Sequence, residues 1–317
     1  MRRERRHLLA LVAAAPVLLA GCASFDALRP PPPWLAGLPA RVELAAVPFV
    51  EQARFHCGPA SLAMVAGAAG VNVSADVLAD TVFLPAREGA LQVEMLAAAR
   101  RQGLLAVVLP GELQALLTEL AAGHPVVVLQ NLGLAVSPRW HYAVAIGYDA
   151  AARELLLRSG SEPRQRMAWF TFERTWARGG RWAFVALPPG QLPATAREAE
   201  AVPAAIGFER VAAPAQAAQA WAAVRQRWPD NLPAAIGLAN ALVGQERLDD
   251  AAQVLAQAAS RHDSAAAWHN LAQVHLRRGE RVQAADAARR AVAAAERGGP
   301  EARWRDAARA TLSEATR

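Results

Sequence analysis

Residues 47–65 read VPFVEQARFHCGPASLAMV, and this stretch decides the fold of the first half of the chain. The apolar run VPFV is typical of the end of a strand, and the run ASLAMVAG after Pro59 favours a helix. Proline is preferred in the first helical turn, where its missing N–H would be unpaired anyway. The sequence therefore predicts Cys57 at a helix N-terminus, where amide groups and the helix dipole favour the nucleophilic thiolate. A buried, unreactive cysteine is the alternative.

A thiolate nucleophile needs a base within hydrogen-bond reach and a group that orients this base. The segment RWHYAVAIGYD, residues 139–149, predicts a buried strand with His141 near its start. Trp140 either shields such a site or lines a substrate groove, and a plain core aromatic is the alternative. His124 lies between a predicted helix and a predicted strand, and we expect it at the surface.

Two motifs together resemble the papain-like domain of bacteriocin-processing cysteine peptidases, which act on double-glycine leaders: QARFHCGPASLAM (52–64) and HYAVAIGYD (141–149). The resemblance implies that Cys57 is the nucleophile, His141 the general base and Gln52 the side-chain donor of the oxyanion hole. An amide NH2 group suits the last role because it stabilises developing negative charge beside a backbone N–H.

The chain departs from this family at the end of the strand that follows the histidine strand. The family usually has an aspartate there, often followed by proline, whereas this chain has Ser159. We expect Ser159 to contact His141 across the strands. A hydroxyl can hold the imidazole tautomer, but it has no charge to stabilise the imidazolium. Asn131, at the end of the predicted strand VVVLQN, is the alternative third member.

The N-terminus reads MRRERRHLLALVAAAPVLLAGC, with four arginines before a short apolar segment. This pattern predicts a signal peptide at residues 1–21, and LAGC resembles the lipobox of bacterial lipoproteins. Cys22 would then carry the lipid, although an ordinary signal peptide with an incidental cysteine is the alternative. Ala23 resembles the sorting pattern of outer-membrane lipoproteins, so we expect an anchored cell-envelope protein that faces the periplasm. An acylated Cys22 leaves Cys57 without a disulfide partner.

Charge and composition exclude some classes of function. The formal net charge is +6, and removing residues 1–21 takes away four arginines and one glutamate, which leaves +3. Because no basic block is interleaved with aromatic residues, nucleic-acid binding is not expected. The histidines show no spacing typical of a metal site, so we expect no metal and no other cofactor.

Composition also predicts the domain boundaries. Residues 22–41 contain four consecutive prolines and predict a stiff linker. Residues 42–190 have helices first and then antiparallel strands, which is α+β order, and residues 191–213 read as a second linker. Residues 214–317 repeat with a period near 33 and resemble tetratricopeptide repeats, with an alanine-rich helical bundle as the alternative.

The sequence thus predicts a lipid-anchored cysteine peptidase of the cell envelope that hydrolyses peptide bonds. Its helical repeats would recruit a protein partner or the substrate. Two other functions stay open: an adaptor that keeps the peptidase fold without useful catalysis, and an amidase that acts on cell-wall peptides.

Overall fold

An antiparallel sheet of seven strands forms the centre of the first half of the chain in the computed structural model, which describes residues 30–52, 55–87 and 89–317. Its strands are β1 (Arg41–Glu43), β4 (Leu105–Val108), β5 (Val126–Asn131), β6 (Trp140–Asp149), β7 (Glu154–Ser159), β8 (Glu162–Ala168) and β9 (Ala183–Leu187). The strand order is β4-β9-β5-β6-β7-β8, and β1 pairs with the last residues of β6. A separate hairpin joins β2 (Phe83–Leu84) to β3 (Gly89–Ala90).

Helices cover both faces of this sheet. Because successive side chains of a strand point to opposite faces, the central strands contribute residues to two separate cores. Val127 and Leu129 of β5 belong to one core, whereas Val126 and Val128 belong to the other. The first core contains α1 (Cys57–Ala68), α2 (Ala75–Val82) and α3 (Gln92–Arg101), and the second contains α4 (Leu113–Ala121) and α5 (Trp169–Arg178). The predicted α+β class is confirmed.

Two expectations for the segment before α1 are wrong. Residues 47–50 form no strand: the N–H of Val47 closes a turn on the carbonyl of Leu44, and Pro48 has no N–H for a ladder. Within the expected spacer at 22–41, Pro33–Gly37 is a 3-10 helix, and Arg41 is the first residue of β1. Trp34 and Leu38 pack against the second core, so this segment is part of the domain. The predicted signal peptide and Cys22 lie outside the described residues.

The expected linker at 191–213 contains a helix, α6 (Glu198–Glu209). Its Ala204 and Phe208 are buried in the same core as Trp176 of α5. Alanine favours a helix even beside Pro203, and burying an apolar face stabilises it further. The carboxylate of Glu119 also fixes this segment, because it accepts hydrogen bonds from the backbone N–H groups of residues 194 and 195.

The rest of the chain is helical, as the repeat pattern predicted. It comprises α7 (Pro214–Arg227), α8 (Leu232–Val243), α9 (Leu248–His262), α10 (Ala265–Arg277), α11 (Arg281–Glu296) and α12 (Arg305–Thr316). Buried alanines and the indole rings of Trp221 and Trp268 form most of its core. Among the residues that the structure describes, no helix is both long enough and apolar enough to span a membrane.

Candidate active site

Cys57 is the first residue of α1 and is partly buried. The next residue has to be small, because a Cβ atom on Gly58 would lie 2.8 Å from Cβ of Ala90 and 3.2 Å from Sδ of Met95. The same Cβ would lie 3.6 Å from Cδ2 of Tyr142, so the N-terminus of α1 also packs against β6, the strand that begins with Trp140 and His141.

The thiol of Cys57 lies beside three backbone N–H groups: that of Tyr142 and, at the start of α1, those of Gly58 and Cys57 itself. Burial raises the pKa of the Cys57 thiol, and the three N–H groups lower it without cancelling the effect of burial. The expectation that the helix start favours the thiolate is therefore wrong for this resting state, because loss of hydration outweighs the amide groups.

The imidazole of His141 lies against Ser159, with 2.9 Å between Nε2 and Oγ. Pairing of β6 with β7 places Val144 opposite Arg158, which brings the end of β7 alongside the start of β6. The expected contact between His141 and Ser159 is thus present. Burial, helped by the charge of Arg139, lowers the pKa of His141 to about 4, so the ring is neutral at pH 7.

Gln52 is held by both its backbone and its side chain. Its backbone N–H donates to the carbonyl of Gly160 at 3.1 Å, and the Gly160 N–H donates to Oε1 of Gln52 at 2.9 Å. On the other side of the amide, Nε2 donates to the carbonyl of Tyr142 at 3.3 Å and to Oγ of Ser61 at 3.4 Å.

The main chain of Tyr142 lies next to both the Cys57 thiol and the Gln52 amide. Its N–H faces the thiol of Cys57, its carbonyl accepts from Gln52, and the residue before it is His141. Within the described residues, the Cys57 thiol and the His141 ring form no hydrogen bond with each other. The arrangement is a neutral thiol at the start of α1 and a neutral imidazole near the start of β6.

Three other predicted residues have different surroundings. Oδ1 of Asn131 accepts from the N–H groups of Gly133 and Arg139, both at 2.9 Å, so Asn131 fixes the β5–β6 hairpin instead of contacting His141. Trp140 is 58% exposed, so the core alternative for it is wrong. His124 is not a plain surface residue, because its Nδ1 lies 2.7 Å from Oε2 of the buried Glu119.

Sequence reasoning missed Gly160, Ser61 and the Tyr142 main chain. Ser61 is fully buried and lies one helical turn after Cys57, so helical spacing alone was a usable signal for it. The sequence carries no comparable signal for the other two, since they act through backbone atoms. In the described part of the chain, no three His, Cys, Asp or Glu side chains lie together as metal ligands would.

Comparison with known proteins gives two family matches. Residues 44–183 match the model of the Peptidase C39 like family, and residues 212–274 match that of the tetratricopeptide repeat. No curated protein matches the chain.

Three solved structures are similar to parts of the chain. A putative C39-like peptidase from Bacillus anthracis is 21% identical, with 46% of this chain and 97% of that one covered and a TM-score of 0.39. The peptidase domain of Streptococcus ComA, a bi-functional ABC transporter, is 23% identical, with 44% and 98% covered and a TM-score of 0.36. The Yersinia enterocolitica type III secretion translocator chaperone SycD is 13% identical, with 37% and 89% covered and a TM-score of 0.34.

The two family matches cover successive parts of the chain and agree with the order of its α+β and all-helical regions. The chain therefore carries a Peptidase C39-like domain followed by a tetratricopeptide repeat region.

Proposed function

We propose that the protein is a cysteine peptidase that hydrolyses peptide bonds with Cys57 as nucleophile and His141 as general base. One observation carries the proposal: the N–H of Tyr142 faces the Cys57 thiol and its carbonyl accepts from the Gln52 amide, directly after His141. The proposed nucleophile, base and oxyanion donor thus all lie at the start of β6.

The contact with Ser159 allows a tautomer of His141 in which Nδ1 is the nitrogen that takes the proton. When Oγ of Ser159 accepts from Nε2–H, the lone pair of His141 is on Nδ1. Nδ1 then takes the thiol proton as sulfur attacks the peptide carbonyl, and the imidazolium gives this proton to the leaving amine. Water, deprotonated by the same ring, hydrolyses the thioester and releases the acid.

The negative charge of the tetrahedral intermediate requires hydrogen-bond donors. The backbone N–H of Cys57, at the start of α1, and the NH2 group of Gln52 supply them in this mechanism. In the resting state the contacts of this NH2 group within the described residues are long, at 3.3 Å to the carbonyl of Tyr142 and 3.4 Å to Oγ of Ser61. Such weak contacts exchange readily for a short bond to an oxyanion.

Exposed apolar side chains near His141 favour a peptide substrate with apolar residues. The β5–β6 hairpin, residues 132–139, presents Leu134, 69% exposed, and Val136, 91% exposed, and Trp140 follows it. Leu91 and Val93 are also exposed, directly after the strand that packs on Gly58. Exposed apolar side chains on the hairpin that precedes His141 are suited to the side chains of an extended peptide.

We further propose that Cys22 carries a lipid anchor in the cell envelope, at the outer membrane facing the periplasm, as the LAGC sequence suggests. Metabolic labelling with an alkyne fatty acid tests the anchor, because labelling should be lost in Cys22→Ala and kept in Cys57→Ala.

The helical repeats would recruit a protein partner or the substrate, since stacked repeats of this kind provide extended binding surfaces.

A thiol-directed peptidyl ketone probe with leucine next to the reactive group tests the catalytic assignment. We expect mass spectrometry of the labelled full chain to find the adduct on Cys57. Cys57→Ala should abolish labelling, and Cys22→Ala should not change it. Equal labelling of the wild type and Cys57→Ala would refute the assignment.

A second function, an adaptor with a peptidase fold, is favoured by the neutral resting pair and by Ser159 in place of a carboxylate. If the wild type turns over no peptide and Ser159→Asp creates activity, this second function is the better account. Turnover of muropeptides and of unmodified peptides separates the peptidase from a cell-wall amidase.

A further inference from the structure

The turn between β7 and β8 contacts both the proposed base and the proposed oxyanion donor. Ser159 contacts the His141 ring, and the next residue, Gly160, is bonded twice to Gln52. The proposed mechanism uses the contact of Ser159 but gives Gly160 no role.

The bond from Gly160 determines which end of the Gln52 amide faces the nucleophile. A backbone N–H can only donate, so the atom 2.9 Å from it must be the amide oxygen, Oε1. The NH2 group of Gln52 then has to point the other way. It points to the carbonyl of Tyr142, the residue whose N–H faces the Cys57 thiol. A reversed amide would present an oxygen to the oxyanion, and two negative oxygens repel.

The bond to Oε1 of Gln52 requires a residue other than proline at position 160, because proline has no N–H to donate, and this chain has glycine there.

We propose that Gly160 is a positioning residue that orients the Gln52 amide as an oxyanion donor. This inference rests on the proposed function and adds to it a source of orientation outside the Cys57, His141 and Gln52 side chains. Two bonds between the same two residues, one through the backbone and one through the side chain, leave the amide a single orientation.

The backbone of Gly160 allows a graded set of variants. Its φ is +61°, and a Cβ built on it meets nothing within 4 Å, so conformation and not space limits substitution. Asparagine tolerates this φ and keeps the N–H, valine keeps the N–H but disfavours this φ, and proline allows neither.

Two reactions of Cys57 separate orientation of the donor from general damage. Acylation by p-nitrophenyl acetate passes through a tetrahedral oxyanion, whereas alkylation by iodoacetamide is a direct displacement without one. Both rates are measured on the full chain. The rate measured in Cys57→Ala is subtracted from each, which removes any reaction at Cys22. The wild type has to be acylated at Cys57 faster than a small free thiol at the same pH. If it is not, both the proposed function and the proposed role of Gly160 are refuted.

We expect Gly160→Pro to slow acylation at least tenfold, since loss of one oxyanion donor typically costs about 10²–10³ in rate. Alkylation should change less than twofold, and Gly160→Asn should keep most of the acylation rate. In a Gln52→Ala background, Gly160→Pro should cause no further loss. If the proline variant does not fold, Gly160→Val should show the same selective loss to a smaller degree. Equal slowing of both reactions, or the same loss with and without Gln52, would overturn the role of Gly160.

Discussion

Nε2 of His141 lies 2.9 Å from Oγ of Ser159, so the proposed base is oriented by a hydroxyl and not by a carboxylate. A hydroxyl both donates and accepts, which allows either imidazole tautomer, whereas a carboxylate only accepts and would fix the proton on Nε2. A hydroxyl also has no negative charge to offset the effect of burial and of the Arg139 charge, which lower the pKa of His141 to about 4. The residue at 159 therefore limits the strength of this base.

Replacing Ser159 by aspartate should increase activity. The carboxylate would stabilise the imidazolium and raise the pKa of His141, and we expect about tenfold faster acylation of Cys57 at pH 7. NMR titration of the His141 ring should show the higher pKa directly. Ser159→Ala is the matched control and should slow acylation. A lower rate in Ser159→Asp, with the fold intact, would contradict the role given to this contact.

Gly58 should not tolerate a side chain. A Cβ there would lie 2.8 Å from Cβ of Ala90, so Gly58→Ala should shift the start of α1 and lower the free energy of unfolding by about 1–3 kcal/mol. Denaturant unfolding measures the stability change, and iodoacetamide measures the altered access to Cys57. Gly37→Ala is the control, because a Cβ at Gly37 meets nothing within 4 Å. Equal stability of both variants would show that the packing at Gly58 is loose.

The apolar hairpin should affect substrate binding more than chemistry. With a peptide rich in leucine and valine, Leu134→Ser with Val136→Ser should raise KM several-fold and leave kcat nearly unchanged, since uniform binding is lost. Val282→Ser is the control, because Val282 is 79% exposed on the distant helix α11. An unchanged KM for apolar peptides would remove the hairpin from the binding surface.

Helix α6 should contribute to the stability of the peptidase-like domain. Phe208 is fully buried in the core that contains Trp176, so Phe208→Ala should cost about 3–5 kcal/mol. Val211→Ala, at a residue 54% exposed in the same segment, should change stability by less than about 0.5 kcal/mol. Thermal unfolding followed by tryptophan fluorescence compares the two. A small effect of Phe208→Ala would mean that this segment behaves as the linker its composition suggests.

Local pattern was enough for most elements of the fold. The strand Val126–Asn131 and the helix Cys57–Ala68 come from apolar runs bounded by proline or polar residues, and their periodicity is read directly. The segments around Trp34 and Phe208 were misread, because proline marked them as linkers. Their structure depends on the packing of one aromatic ring, partly buried at Trp34 and fully buried at Phe208, on a core built from distant residues, which composition does not reveal.

Some features of the candidate site were also predictable from the sequence, and others were not. Residue type, order in the chain and the family resemblance made Cys57, His141 and Gln52 candidates, because a cysteine nucleophile needs a base and an oxyanion donor. The protonation states were not predictable, since burial decides the pKa values of Cys57 and His141 and burial is a property of the whole fold. The contribution of Gly160 was hidden because it comes from a backbone N–H.

The pH dependence of Cys57 acylation by p-nitrophenyl acetate, measured in the wild type and in His141→Gln, tests the central claim most directly. The pKa of His141 is lowered to about 4 and that of Cys57 lies above its ordinary 9.0, so both groups are neutral between these values. Base assistance by neutral His141 predicts a wild-type rate that is nearly constant from about pH 5 to pH 8 and falls towards pH 4. Without the base, His141→Gln should react only as thiolate, with a rate that rises about tenfold per pH unit. A wild-type rate with the same tenfold rise, equal to that of His141→Gln, would contradict the pairing of Cys57 with His141.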